Sequence, residues 1–329
     1  MRPLMLFLTL FLAAGCAHWR KPHPGDPLVR VGDEIVVAGQ LFHTGTRVVT
    51  WMDPGGYDAY RVERRFGEVT RSDWDSNEKG GKALDTPNRY GLRKDGLDAA
   101  TLEKVRGGGW SLPELQERID QFVIHFDATG TSRRCFEVLH DLRGLSVHFM
   151  LDSDGTLYQT LDLKERAWHA TTANSRSVGI EIAQAGAFPV AQRRNLEPWY
   201  TNDGFGIRLT YPEWIGPPGI ATPGFIGRPA RPDPVIGKVQ DSELIQYDFT
   251  PQQYAALARL VATLNRALPR IRMDYPRDAT GQLIPRALTP EQLEEHTGLL
   301  GHYHVQRGKV DPGPAFNWDG VLREARRAR

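Results

Sequence analysis

Cysteine is nearly missing from this chain: of 329 residues, only Cys16 and Cys135 carry a thiol. No disulfide framework can therefore hold the fold, which has to rest on an apolar core or on a bound metal. An excess of one charge is missing too, since 41 Lys+Arg stand against 40 Asp+Glu. Without a basic surplus there is no drive toward phosphate contacts, and no nucleic-acid partner is expected. Long hydrophobic runs are also lacking; the most apolar stretch, residues 4–14, falls short of the roughly 20 residues that a spanning helix needs. Internal repeats and low-complexity tracts do not occur. Turn formers are abundant, with 33 Gly and 23 Pro, and they point to long ordered loops between a modest number of regular elements.

The N-terminus, "MRPLMLFLTLFLAAGCAHWR", has the layout of a secretory signal. Its end, "LAAGC", resembles a bacterial lipobox, with Ala13 standing where leucine is most usual. That resemblance implies removal of the residues before Cys16 and lipidation of Cys16, which becomes the first mature residue and a membrane anchor. An ordinary cleaved signal and a cytosolic chain with an apolar start are the alternatives. No aspartate follows Cys16, which implies an outer-membrane lipoprotein facing the periplasm of a Gram-negative envelope.

Residues 17–110 read as an N-terminal extension of short strands and loops, with "RVGDEIVVAG" and "TRVVTW" as the strand-like pieces and no catalytic pattern. Residues 111–329 have a different texture. Ser111 and Glu114 form a capping-box signature with Pro113 in the first turn, opening a short helix. "FVIHF" then reads as a buried strand with His125 near its end. "SVHFMLDSDGTLYQTLDL" reads as a hairpin about "DSDG", and "SVGIEIA" as an apolar strand interrupted by Glu181. Residues 187–247, dense in Pro, Gly and aromatics, look like an ordered insertion. "FTPQQYAALARLVATLNRAL" predicts a helix capped by Thr250, with Tyr254, Leu257, Val261 and Leu264 on one face, and "LTPEQLEEHTG" repeats the Thr-Pro start. "LLGHYHV" is expected to continue as a strand. The fold class expected is α/β, a central mixed β-sheet flanked by helices with the site in a surface groove, plus a β-rich N-terminal extension.

Chemistry concentrates in three places. A lone strand-end histidine such as His125 is ordinarily a packed residue, but a carboxylate between Ile180 and Ile182 is costly to bury without a partner. "GHYHVQRGKVDPG" adds further nitrogen and oxygen donors. His125, His302 and Asp311 together make a two-histidine, one-carboxylate set that leaves a fourth tetrahedral position open, the arrangement of catalytic zinc. His304, two residues from His302, would share its face if this stretch were a strand.

The blocks "FVIHFDATGTS", "SVHFMLDSDGTLYQ", "RAWHA", "SVGIEIA" and "GHYHVQRGKVDPGPAF", in this order, resemble the zinc-dependent N-acetylmuramoyl-L-alanine amidases of the type 2 class, a family related to phage lysozyme-like amidases and peptidoglycan recognition proteins. The resemblance spans residues 111–318 and is interrupted by the insertion. It implies His125, His302 and Asp311 as Zn2+ ligands, His302 being preferred to His304. It implies Glu181 as the catalytic glutamate and Lys309 as the catalytic lysine. It also implies His169 of "RAWHA" as a groove residue contacting substrate, although packing beside Trp168 is the alternative. The substrate implied is peptidoglycan or muropeptide, cut between N-acetylmuramic acid and L-alanine by a monomer. A non-catalytic peptidoglycan-binding lipoprotein on the same fold is the other reading. Two positions depart from the family: Asp127, where a small or hydroxyl residue is usual, and His304, where aspartate or a similar polar residue is common. His18, His23, His43, His140, His148 and His296 are expected to be structural. Trp199, Tyr200, Tyr211, Trp214 and Phe225 of the insertion are expected either to pack it down or to offer sugar-stacking faces along one wall of the groove.

Overall fold

β-Branched and aromatic residues set the frame: "QFVIHF" and "SVGIEI" form two parallel strands at the middle of a six-stranded sheet. The computed structural model describes residues 23–67 and 89–329. Residues 1–22, including the signal segment and Cys16, lie outside the described residues. Of the stretch preceding Gly32, residues 23–31 are described by themselves and contain a turn in which the His23 N–H donates to Asp26 Oδ2 at 2.7 Å. Gly32–Arg329 form one unit.

The sheet strands are β1 (Val48–Thr50), β2 (Gln121–Phe126), β3 (Phe149–Leu151), β4 (Leu157–Gln159), β5 (Ser177–Ile182) and β6 (Gly298–Gly301). They lie in the order β6-β2-β5-β3-β4-β1. Strands β6, β2, β5 and β3 run parallel, β4 is antiparallel to β3, and β1 pairs in parallel with β4. The sheet is thus mixed, and its parallel half points the carboxyl ends of β6, β2 and β5 the same way, where open α/β sheets gather ligands.

Strand alternation sorts the side chains onto two faces. Phe122 and Ile124 with Val178, Ile180, Ile182, Phe149 and Leu151 join the main core. Two helices cover that face: α3 (Pro251–Ala267), contributing Leu257, Val261 and Leu264, and α5 (Trp318–Ala328), contributing Val321 and Leu322. On the opposite face, where α2 (Ser132–Phe136) and a π-helical turn, Glu137–Leu142, lie, β2 and β5 present His125 and Glu181 at the same register level. One step back along the strands, Val123 pairs with Gly179.

The caps form as the sequence predicts. Glu114 accepts from the Ser111 N–H at 2.9 Å, opening α1 (Leu112–Arg118), and Gln253 accepts from the Thr250 N–H at 2.9 Å, opening α3. Among the described residues, 32–67 and 89–110 pack into the body that follows. β1 supplies an edge strand to the sheet, and Ile35, Val48, Val105 and Trp110 sit in the main core. Their alternating apolar pattern is satisfied there because a short hairpin alone has too little apolar surface to fold. Residues 187–247 are ordered, with strands Val235–Val239 and Ser242–Gln246 pairing as a hairpin and Leu196, Tyr200 and Ile245 forming a small core.

One element departs from expectation. "LLGHYHV" is a strand only as far as Gly301, and His302–Val305 is a helical turn, α4. His304 Nδ1 accepts from the Gly301 N–H at 2.8 Å, satisfying a backbone donor that a helix start leaves without a partner.

Candidate metal centre

The helical turn separates the two candidate histidines. Side chains rotate by about 100° per residue in a helix, so His302 and His304 diverge instead of sharing a face. His302 turns toward β2. His304 turns away, donating from Nε2 to the Ile284 carbonyl at 2.8 Å while Nδ1 caps Gly301, so both ring nitrogens are engaged away from the cavity.

Three ligand atoms meet at the carboxyl end of β2. His125 Nδ1 is 3.0 Å from His302 Nδ1 and 2.9 Å from Asp311 Oδ2, and His302 Nδ1 is 3.0 Å from that same oxygen. Tetrahedral bonds of about 2.0–2.1 Å to nitrogen and oxygen place ligand atoms roughly 3.3 Å apart, so a small outward shift admits an ion. All three residues are buried. Burial, with His302 alongside, lowers the His125 pKa to about 4. Burial opposes the Asp311 charge, but hydrogen bonds with His125 and His302 hold its carboxyl well below the usual range. Neutral imidazole and ionised carboxylate are the forms that bind metal.

Further hydrogen bonds orient both rings. His125 Nε2 lies 3.0 Å from His169 Nδ1, and His169 Nε2 lies 3.3 Å from Ser177 Oγ. His302 Nε2 lies 3.0 Å from Gln306 Oε1, one helical turn on. On metal binding the outer nitrogens would serve as the donors, leaving both Nδ1 lone pairs for an ion shared with Asp311, the arrangement that outer hydrogen bonds impose on metal-bound histidines. His169 is therefore tied to the first histidine while it also lines the cavity.

Gly301 lets the third donor approach. A Cβ there would lie 2.7 Å from Pro312 Cδ, so the segment carrying Asp311 passes close only because glycine precedes His302. The insertion holds that segment from outside. Gln240 Nε2 donates to the carbonyls of Tyr303 at 3.0 Å, Gln306 at 3.2 Å and Lys309 at 3.2 Å. Gln246 Nε2 donates to Pro312 O at 3.0 Å, and its Oε1 accepts from the Ala315 N–H at 3.0 Å.

A cavity of about 250 Å³ opens beside the three donors, lined by Glu181, Lys309, His169, Arg143 and Trp168 among others. Glu181 Oε2 is buried without a hydrogen-bond partner. Burial raises the Glu181 pKa well above the usual range; the carboxylates of Asp311 and Asp127 reinforce that, and Lys309 and Arg143 oppose it. A buried carboxyl facing a cavity, with its proton affinity raised, suits a proton-transfer group. Asp127, one of the departures noted in the sequence, serves the loop after β2: it accepts from the N–H groups of Thr129, Gly130 and Gln184, each at 3.0 Å. Burial nonetheless pushes its pKa up to about 6.

Among the described residues His148, His140 and His296 are engaged elsewhere, and His18 lies outside the described residues. His148 accepts from the Gly179 N–H at 3.1 Å and reaches Glu165 O at 2.9 Å, His140 bonds Asp141, and His296 reaches Leu299 O at 3.1 Å. His43 bonds Asp33 at 2.7 Å in a second cluster with Glu34, but the Asp33 and Glu34 carboxylates there also accept nearby backbone N–H groups. The buried thiol of Cys135 lines the cavity, and burial first, then Glu181, raises its pKa. Sequence reasoning missed Gln306, Gln240 and Gln246, whose roles depend on folded geometry; only Gly179, a glycine inside a strand, carried a signal of close approach.

Residues 115–204 match the family described as N-acetylmuramoyl-L-alanine amidase. No curated protein matches the chain significantly. Among solved structures, a selenomethionine AmpD derivative aligns at 17% identity over 72% of this chain and 89% of that one, with a TM-score of 0.33. The N-acetylmuramyl-L-alanine amidase AmiD from E. coli, solved with anhydro-N-acetylmuramic acid-L-Ala-D-gamma-Glu-L-Lys, aligns at 18% identity over 63% of this chain and 57% of that one, with a TM-score of 0.35. The endolysin amidase LysCS from Clostridium intestinale URNW aligns at 15% identity over 64% and 86%, with a TM-score of 0.33.

Proposed function

We propose that this protein is a zinc-dependent hydrolase that cuts the amide between the lactyl group of N-acetylmuramic acid and the L-alanine of the peptidoglycan stem. The observation that carries this reading is the meeting of His125 Nδ1, His302 Nδ1 and Asp311 Oδ2 within 3.0 Å of one another, beside a cavity lined by Glu181. The family match over residues 115–204, which include His125, His169 and Glu181, supports the choice of amide bond.

When held by these three residues, zinc would lower the pKa of a water to about 7 and polarise the scissile carbonyl. Glu181 is the proton carrier: its carboxylate takes the proton of the attacking water and returns it to the L-alanine nitrogen as the C–N bond breaks. Its buried, unpartnered oxygen leaves one acceptor ready for that proton. The Lys309 ammonium offsets the negative charge that develops on the carbonyl oxygen. His169 and Gln306 keep the two ligand rings turned with Nδ1 inward. A non-catalytic binding module needs neither the buried glutamate nor the lysine.

We place the protein as a monomeric outer-membrane lipoprotein anchored through Cys16 and facing the periplasm. Incorporation of labelled fatty acid into the wild type and not into Cys16→Ser tests that placement. The activity is tested on isolated sacculi: the zinc-loaded protein should expose new alanine amino groups, measured by end-group labelling, with no new reducing sugar ends. Release of reducing ends instead would point to a different bond.

A further inference from the structure

The five aromatic side chains singled out in the insertion divide into two kinds. Tyr200 stacks on Tyr247 with ring centroids 4.1 Å apart, and the Tyr211 hydroxyl bonds Ser153 Oγ at 2.6 Å. Phe225 is partly buried beside Gly227. These three pack the segment down. Trp214, by contrast, is 66% exposed although it sits on a well-anchored turn.

The anchoring is specific. Trp214 lies in a single 3-10 turn, Glu213–Ile215, whose Ile215 is buried and whose preceding Tyr211 is tied to Ser153. Gly216, Pro217, Pro218 and Gly219 follow, and Gly219 packs onto the Arg133 side chain, with an added Cβ 3.2 Å from its Cδ. Trp199 meets Trp214 edge to face, with centroids 6.1 Å apart and planes at 88°. Trp199 in turn rests on Gly130, where a Cβ would lie 2.2 Å from Cζ3 of its ring. Gly130 ends the Asp127–Gly130 loop, and Asp127, Ala128 and Thr129 line the catalytic cavity. Trp199 therefore packs on the loop that follows His125, beyond the residues that line the cavity, and Trp214 lies against Trp199.

We propose that Trp214, supported by Trp199, is a carbohydrate platform for the glycan chain of polymeric peptidoglycan. The proposal rests on the amidase reading and extends it to the substrate class. The cavity, at about 250 Å³, is smaller than the roughly 300–1,000 Å³ that encloses a drug-sized ligand, so a polymer whose scissile junction enters it must run on over the surface. β-Linked N-acetylhexosamines present flat C–H faces that stack on an indole, with hydroxyls at their rims for polar neighbours. Exposed Glu213 and the guanidinium of Arg133 supply such neighbours on either side of the turn. Because the turn is already fixed, stacking a sugar costs little ordering of the protein.

The test has two arms. In the first, chito-oligosaccharides of about four to six N-acetylglucosamine units are titrated against the full chain by calorimetry. Wild type should bind, Trp214→Phe should bind more weakly, and Trp214→Ala should lose about three- to tenfold in affinity. Equal affinity in wild type and Trp214→Ala overturns the platform, and this arm does not depend on amidase activity. In the second arm, the ratio of kcat/KM on uncrosslinked glycan strands to kcat/KM on a disaccharide-peptide monomer should fall about three- to tenfold in Trp214→Ala. The same ratio should be unchanged in Phe205→Ala, which removes an aromatic that is 89% exposed at a hairpin tip of the same insertion. An unchanged ratio in Trp214→Ala overturns the platform, whereas a wild type inert on both substrates overturns the amidase reading and leaves the first arm to decide on the platform.

Discussion

The imidazole of His169 occupies the space that a side chain on Gly179 would need: a Cβ built there would lie 2.6 Å from the ring. The glycine on β5 thus lets His169 lie over the sheet and reach His125 Nε2 at 3.0 Å. A strand position that otherwise costs stability, for want of a side chain to pack, here sets the orientation of a ring in the proposed metal centre.

Gly179→Ala should therefore displace His169 and weaken zinc binding by about ten- to a hundredfold, with the sheet retained. Competition against a chromophoric chelator, alongside circular dichroism, measures both. Wild-type zinc affinity in a folded Gly179→Ala protein would mean that His169 does not orient His125.

The insertion offers a second site of control. Gln240→Ala removes three hydrogen bonds to the loop that carries Lys309. Zinc content should stay at one per chain, since the ligand side chains are untouched, while kcat falls on the order of ten- to a hundredfold because the ammonium is less well placed. Gln240→Glu cannot donate to those carbonyls and should behave like the alanine variant. A stability loss with kcat unchanged would assign Gln240 to scaffolding alone.

Acid should destabilise the fold through His148. Burial first, then the Arg93 guanidinium, lowers its pKa to about 3 from the usual 6.5. The unfolded chain therefore binds a proton before the folded one does. This contribution to stability is complete above about pH 6.5 and is lost as pH falls from there toward 3, at up to about 1.4 kcal/mol per pH unit. Urea unfolding at several pH values should show a shallower acid slope in His148→Gln than in wild type. Identical slopes would show that His148 is not buried neutral.

Glu181→Gln and Lys309→Ala should each retain zinc and lose turnover by on the order of a hundredfold or more. His302→Ala should lose the metal and His304→Ala should keep it. Metal analysis of the four proteins distinguishes ligand from proton carrier, and zinc loss in Glu181→Gln would place the glutamate among the ligands.

What the sequence made legible follows periodicity and local chemistry. The strands around His125 and Glu181, and the helix caps at Ser111, Thr250 and Thr289, were readable because alternation and side-chain-to-backbone bonds are local. The helical turn at His302 was not, since "LLGHYHV" opens on a short run that reads as a strand and the turn is favoured by a bond from the Gly301 N–H to His304 that only the bend creates. Nor could the strand Val48–Thr50 be seen to join the main sheet, because the pairing of β1 with β4 links positions about a hundred residues apart. The three side chains that meet, His125, His302 and Asp311, were visible through their motif, but the partners that orient them, His169 over Gly179 and Gln306 below His302, belong to tertiary geometry.

The most direct measurement is mass spectrometry of a disaccharide-peptide muropeptide incubated with the zinc-loaded protein, with Glu181→Gln in parallel. The account predicts two products whose masses sum to the substrate plus one water: the intact disaccharide bearing a free lactyl carboxylate, and a stem peptide with a free L-alanine amino group, both nearly absent with Glu181→Gln. Cleavage between the sugars or within the peptide, or an unchanged substrate with zinc bound, would contradict it.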